Sequence, residues 1–344
     1  MKRAFRILSV ALLVILCSGV AAAQGTLEFA RLGDFRLEDG ETLRNCRIAY
    51  RTFGTLNKER SNAVLFPSWF AGTSQDLVSL DFIGPGRLAD TSRFFVIAVD
   101  ALGNGVSSSP SNSRTQPGRK FPRFTIRDMV NCQYELLTRH LGITHLEAVM
   151  GISMGGMQAF QWMLSYPDFM EKTVSIVGSP LPTSFDHLII HAELNLLETM
   201  GEGKDGGLTT MRTLTPIHII AQRTPSFFVE NIPVGQLAAY IASTQEAVTR
   251  SNIHDWTWQL KAIARHDVFH SFGGSPENAA ASVKSRVLVV TSRQDHLVNP
   301  ASANDFAKTL GARTLELTGN CGHLAFLCEN DTLIEAVSRF MTEK

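Results

Sequence analysis

The segment Gly151-Ile152-Ser153-Met154-Gly155-Gly156 constrains this chain more than any other. It follows directly on the apolar run Leu146–Met150. It leads into Met154–Tyr166, a small and apolar stretch that stops at Pro167. A G-x-S-x-G sequence between a strand and a helix describes a sharp elbow. The glycines let neighbouring backbone come close, and the serine sits at the helix N-terminus with its hydroxyl exposed above the sheet edge. The positive end of the helix dipole favours negative charge at that point.

Such an elbow needs an open sheet around it, and the chain supplies one. Short apolar runs recur at Ala63–Pro67, Phe94–Asp100, Thr173–Val177, Val287–Thr291 and Thr314–Leu317. The middle ones are continuous and rich in Val and Ile, as in strands buried on both faces of a parallel sheet. Helical spacing marks Thr125–Leu141, which Gly142 stops, and the amphipathic stretches Ala301–Leu310 and Thr332–Met341. Strands alternating with helices predict an α/β fold with a mostly parallel, eight-stranded sheet. From about 181 to 276 the alternation breaks. Helical patterns at Phe185–Met200 and Gly235–Thr249 flank a Gly-rich turn at Gly201–Gly207, and no convincing strand is present. This is expected to be a helical lid inserted between the sixth and seventh strands, covering the edge where open α/β sheets bind ligands.

A serine nucleophile needs a base, and the base needs an acid to orient it. Asp295 lies just past the strand Val287–Thr291, within Ser292-Arg293-Gln294-Asp295-His296. His323 lies just past Thr314–Leu317, in the Gly-rich loop Gly319-Asn320-Cys321-Gly322-His323. The order Ser, Asp, His fits a fold of this kind, and each residue occupies its own β–α loop, so all three are expected at one sheet edge. His296 neighbours Asp295, but adjacent residues at a strand end point apart. His266 and Asp267 fall in the insertion. His187/His191 and His266/His270 are each four apart, but neither pair carries the Glu of H-E-x-x-H, so neither reads as a metal site. No metal or bound cofactor is implied.

The tetrahedral intermediate needs two donors. One is expected to be the backbone N–H of Met154. The other is expected from Ser68-Trp69-Phe70-Ala71-Gly72-Thr73, after the strand Ala63–Pro67, with Phe70 the choice and Trp69 or Ala71 within error. Trp69 and Phe70 also read as packing around an acyl pocket.

Composition excludes other classes. With 344 residues, 44% of them hydrophobic, a sizeable core needs no staple. Thirty-two basic residues balance thirty-two acidic ones without a long basic run, which argues against nucleic-acid binding. Residues 1–23 stand apart. Lys2, Arg3 and Arg6 precede the apolar run Ile7–Leu16, and Ala21-Ala22-Ala23 offers a cleavage site before Gln24, the pattern of a secretory signal peptide. The run is short for a membrane span. Residues 24–344 then form a single exported domain, periplasmic or secreted, with no membrane association after cleavage. Export allows disulfides among Cys46, Cys132, Cys321 and Cys328. Three full pairings exist, with Cys321 and Cys328 close enough in sequence to be candidates. Cys46 and Cys132 read equally well as buried free thiols.

The chain also resembles the homoserine O-acetyltransferase-like branch of the α/β-hydrolase superfamily. The resemblance rests on Tyr50-Arg51-Thr52-Phe53-Gly54, Ile83-Gly84-Pro85-Gly86, Asp100-Ala101-Leu102-Gly103-Asn104-Gly105, Phe124-Thr125-Ile126-Arg127-Asp128-Met129-Val130, Ser153-Met154-Gly155-Gly156-Met157-Gln158 and Gly322-His323-Leu324-Ala325-Phe326-Leu327. It implies an α/β-hydrolase fold, an acyl-enzyme on Ser153, His323 as base, Asp295 as orienter, and oxyanion donors at Phe70 and Met154. It also implies pairing of two copies through the helical insertion.

One departure bears on substrate. Branch members that acetylate homoserine carry Asp directly after the catalytic His, where it meets the substrate ammonium. Here that residue is Leu324, which cannot pair a buried ammonium. The family's carboxylate-binding Arg has Arg212 and Arg223 as stand-ins, without a firm alignment. An exported protein also lacks a supply of acetyl-CoA. The expected function is therefore hydrolysis of small, uncharged acyl esters, with Trp69 and Leu324 lining the pocket. Transfer of the acyl group to an alcohol or amine is the alternative, and a non-catalytic binding scaffold is a third reading.

Overall fold

The computed structural model describes residues 25–343. The expected signal peptide at 1–23 lies outside the described residues. Eight strands form one sheet: β1 (Glu28–Arg36), β2 (Thr42–Phe53), β3 (Ala63–Pro67), β4 (Phe95–Val99), β5 (Leu146–Ile152), β6 (Met170–Ile176), β7 (Arg286–Ser292) and β8 (Arg313–Leu317). Their order across the sheet is β1-β2-β4-β3-β5-β6-β7-β8. β1 and β2 pair antiparallel, as do β2 and β4, and every pairing from β4 to β8 is parallel.

The helices are α1 (Ser74–Ser79), α2 (Ile126–Glu135), α3 (Met154–Ser165), α4 (Ser184–Met200), α5 (Leu208–Gln222), α6 (Pro225–Asn231), α7 (Leu237–Val248), α8 (Ile253–Ala264), α9 (Pro276–Ser282), α10 (Pro300–Leu310), α11 (Ala325–Cys328) and α12 (Asn330–Thr342). Side chains alternate across each central strand, so both faces of the sheet are buried. Leu65, Ile97, Val149 and Val289 pack toward Met129 of α2, Phe160 of α3 and Phe306 of α10. Val64, Val96, Ala148 and Val290 pack toward Leu77 of α1 and Leu333, Val337 and Phe340 of α12.

One expectation changes at its edge. The helix expected over 125–141 keeps α-helical geometry only to Glu135, and Leu136–His140 winds as a π-turn. The wider turn lets the successive Leu136 and Leu137 both be fully buried. Between β6 and β7 lie α4 to α9 and no strand, the last helix running on to Ser282. Among the described residues, no helix is long and apolar enough to cross a membrane.

Candidate active site

Ser153 lies between β5 and α3 with φ 57° and ψ −121°, a left-handed conformation that a non-glycine residue adopts only when its surroundings enforce it. The glycines enforce it. A Cβ on Gly151 would lie 2.1 Å from the carbonyl oxygen of Gly155, and one on Gly155 would lie 2.7 Å from that of Pro67. The elbow is thus closed by backbone contact with β3. The Ser153 hydroxyl is not exposed above the sheet as expected, because the residue retains only 9% of its accessible surface. The helical insertion packs on the loop beside the elbow. Its α8 sends Gln259 down to the loop after β3, and its α5 and α8 pack His218 and Trp256 around Phe70.

The structure brings the three expected side chains together. His323 Nε2 lies 2.8 Å from Ser153 Oγ, and His323 Nδ1 lies 2.7 Å from Asp295 Oδ2. All three residues are buried. Asp295 is held from its other oxygen, since Oδ1 accepts the backbone N–H of Leu297 at 2.9 Å and of Val298 at 2.8 Å. An ionised carboxylate only accepts hydrogen bonds. Nδ1 therefore carries the imidazole proton, and Nε2 is left to accept from the serine hydroxyl.

Backbone donors beside the elbow follow by accounting. Ser68 N–H donates to Val99 O at 2.8 Å, Ala71 N–H to Gln259 Oε1 at 2.8 Å, and Gly72 N–H to Trp69 O at 3.1 Å. Ala71, one of the three residues considered for the second donor, is thereby spent. Among the described residues, the N–H groups of Trp69, Phe70 and Met154 have no hydrogen-bond partner, so Trp69 stays beside Phe70 as a candidate for the second donor. Met154 is the first residue of α3, where N–H groups are left without intrahelical partners.

Other candidates lie elsewhere. The Phe70 ring packs edge-on against Trp256 with centroids 4.5 Å apart, whereas Trp69 packs against Phe82 at 6.1 Å. Trp69 and Leu324 both border the second core cluster. His266 is buried with Nε2 on Ser179 O at 3.0 Å, and burial pushes its pKa down to about 4. His296 sits edge-on to Phe185. Arg212 is exposed on α5. Arg223 stacks on Phe227 at 4.1 Å and reaches Cys328 Sγ at 3.6 Å. Cys321 and Cys328 form a disulfide, while Cys46 and Cys132 are buried free thiols with sulfurs 3.9 Å apart.

With this geometry in place, known proteins can be compared. A profile described as the alpha/beta hydrolase fold matches residues 62–329. A homoserine O-acetyltransferase of Methanococcoides burtonii is 32% identical over 90% of this chain and 72% of its own length. The chain belongs to the α/β-hydrolase family, in its homoserine O-acetyltransferase-like branch. This α/β-hydrolase is also 29% identical to an ethyl acetate hydrolase of Pseudomonas veronii, over 79% of this chain and 81% of that one. Among solved structures, the acetyl esterase MekB superposes with a TM-score of 0.86 at 24% identity, over 93% of this chain and 97% of that chain, a likeness of fold. The chain is thus an enzyme of the ester hydrolase or O-acyltransferase type.

Two buried glutamines near the elbow escape notice in the sequence. Gln259 is fully buried; beyond its bond to Ala71 N–H, its Nε2 donates to Leu102 O at 2.9 Å. Gln158 of α3 donates to Ser68 O at 3.1 Å and accepts from Gln133 of α2 at 2.6 Å. The available signal for Gln259 was a Gln set beside two tryptophans and a leucine, Trp256-Thr257-Trp258-Gln259-Leu260. Only the fold shows what each amide reaches.

Proposed function

We propose that this chain is an exported serine hydrolase that cleaves small, uncharged acyl esters through an acyl-enzyme on Ser153. The observation that carries the reading is His323 within hydrogen-bond reach of both Ser153 Oγ and Asp295 Oδ2, at a strained elbow. Ser153 attacks the ester carbonyl carbon while His323 Nε2 takes the hydroxyl proton. The same nitrogen then protonates the leaving alkoxide. Asp295 keeps the imidazole in the productive tautomer and stabilises its cation. Water repeats the sequence and releases the acid. Proton transfer of this kind contributes roughly 10²–10⁴-fold. Phe70 and Met154 N–H stabilise the tetrahedral oxyanion, and loss of one such donor costs about 3–4 kcal/mol.

Leu324 supports the ester reading over amino-acid acylation. It stands where homoserine-acetylating members of the branch carry Asp, and it packs against an apolar cluster. Trp69, on the same cluster, completes an apolar lining. Acyl transfer to an alcohol or amine remains the second reading, favoured by the identity to a homoserine O-acetyltransferase across most of the chain. Export is supported by the basic and apolar N-terminus and by the Cys321–Cys328 disulfide, which suits an oxidising compartment. Pairing of two copies through the insertion is supported by Ile220 on α5, Val229 on α6, Val234, and Leu237 on α7, each an exposed apolar side chain of the insertion.

The test is partition of the acyl group. p-Nitrophenyl acetate is offered to the purified chain with and without homoserine or simple alcohols, and acetate release is followed. Hydrolysis dominant in every case supports the reading. Fast O-acetylhomoserine formation from acetyl-CoA would replace it with the transferase, and inertness to both the ester and a fluorophosphonate would end both. Sedimentation of the mature chain tests the pairing, which a monomer at micromolar concentration contradicts.

A further inference from the structure

His323 is carried on a short excursion of chain between the end of β8 at Leu317 and the start of α12 at Asn330. Both ends of that excursion are held to the body of the fold. On the near side, Thr224 Oγ1 donates to Asn320 O at 2.5 Å, and Ser292 Oγ donates to Gly322 O at 2.8 Å. Gly322 has φ +65° and lies so tightly under α5 that a Cβ there would meet Gln222 O at 2.7 Å. On the far side is α11, a helix of four residues. One turn of helix does not hold itself in water. Leu327 and Cys328 on it are exposed. α11 is seated by buried Ala325 and Phe326, and the adjoining Glu329 accepts from Thr318 and Gly319 N–H at 3.2 and 2.9 Å; its covalent tie to the anchored side is the bond from Cys328 to Cys321. His323 therefore lies inside a covalent ring closed two residues before it and five residues after it.

We propose that the Cys321–Cys328 disulfide is the positioning element of His323, so that cleaving it displaces the imidazole from Ser153 and makes the enzyme sensitive to thiols. The inference rests on His323 as the base of the proposed reaction. The bond is also open to exchange. Cys321 is buried but Cys328 is exposed, so an external thiolate reaches the Cys328 sulfur. Arg223 places a guanidinium nitrogen 3.6 Å from that sulfur, where the cation favours the approach of an anionic thiolate and the later departure of Cys328 sulfur from the mixed disulfide.

In the first exchange the incoming sulfur bonds to Cys328 Sγ, the S–S bond breaks, and Cys321 leaves as a thiolate that takes up a proton. A second external thiol then attacks the mixed disulfide and releases Cys328 as a thiol. One protein disulfide and two external thiols thus give two cysteine thiols and one external disulfide, with two electrons passing to the protein. Cys46 and Cys132 take no part, because both are buried.

The experiment treats the native full chain with dithiothreitol and counts the newly alkylated cysteines by mass. It then measures kcat and KM on p-nitrophenyl acetate, together with the strongly downfield proton signal of the His323 Nδ1–H shared with Asp295. Misplacement of a catalytic group by about 1 Å costs on the order of 10²-fold. The expected result is two new alkylation sites at Cys321 and Cys328, a fall in kcat of about ten- to a hundredfold with KM little changed, and loss of the downfield signal. Oxidised glutathione restores all three. Cys321→Ser/Cys328→Ser is expected to match the reduced wild type and to ignore dithiothreitol. The proposal is overturned if both cysteines become alkylated while kcat and the proton signal keep their values. No ester hydrolysis before reduction would instead remove the proposed function, and the proton signal would still judge the disulfide's hold on His323.

Discussion

Replacing Asp295 with Asn tests the proton bookkeeping of the site without altering its shape. The wild-type carboxylate uses Oδ1 for two backbone donors, Leu297 N–H and Val298 N–H, and Oδ2 for His323 Nδ1. An amide in the same place has one acceptor oxygen. Two converging N–H donors claim that oxygen, because facing them with the NH2 group would leave buried donors opposed and unpaired. The NH2 group must then face His323 Nδ1 and donate to it. That forces the imidazole into the other tautomer, with its proton on Nε2 directed at Ser153 Oγ, where it can no longer act as base. The expected loss in kcat is about 10⁴-fold, or about 5 kcal/mol of transition-state stabilisation. Folding should change little, since both backbone bonds persist. The assay is kcat for p-nitrophenyl acetate across pH, with thermal unfolding in parallel. An Asn variant that folds normally and stays within tenfold of wild type would refute the assignment of Asp295 and the tautomer argument with it.

Other consequences follow from the surroundings of the elbow. Gln259→Ala strands Ala71 N–H and Leu102 O without partners and frees the loop that carries Phe70. It should cost about 2 kcal/mol in denaturant stability and lower kcat about tenfold or more as an oxyanion donor loosens. Unchanged kcat with the stability loss alone would show that Phe70 N–H is not a donor. His266 offers a pH-dependent counterpart. Burial lowers its pKa from 6.5 to about 4, so the unfolded chain binds more protons between those values and stability is lost as pH falls through that window. The full effect is about 3 kcal/mol. Asp128 and Asp255, both raised by burial to about 6, act with the opposite sign, favouring the fold at low pH and losing that contribution as pH rises toward 6. The difference in unfolding free energy between wild type and His266→Gln therefore isolates His266. It should shrink from pH 7 to pH 4, and a pH-independent difference would contradict a neutral buried imidazole.

Much of this architecture is readable from residue types alone, for reasons the fold makes plain. β3 to β7 are covered by helices on both faces, so each carries a buried run dominated by apolar residues, and local composition identifies them. Asp295 and His323 are legible because each follows directly on the C-terminal end of its strand. β1 and β2 are not legible in the same way. They pair antiparallel at the sheet's edge, with polar residues outward and register shifts around Gly33, so neither forms a continuous apolar run. The burial of Ser153 was also hidden, because it depends on tertiary packing around the elbow and not on the local sequence. Gln259 meets Ala71 across 188 residues of chain, and nothing local to either residue announces the other. Cysteine pairing is of the same kind: three full pairings were open, and the short α11 brings Cys328 back to Cys321.

The central claim is that the Ser153 hydroxyl becomes acylated. Mass measurement of the intact protein, quenched at short times after mixing with p-nitrophenyl acetate, tests it most directly. The account predicts one added acetyl group, mapped to Ser153, that decays at the rate of acetate release and is absent from Ser153→Ala, whose hydrolysis should fall by about 10⁴-fold or more. Turnover with no adduct at that residue at any time, or an adduct that persists in Ser153→Ala, would contradict it.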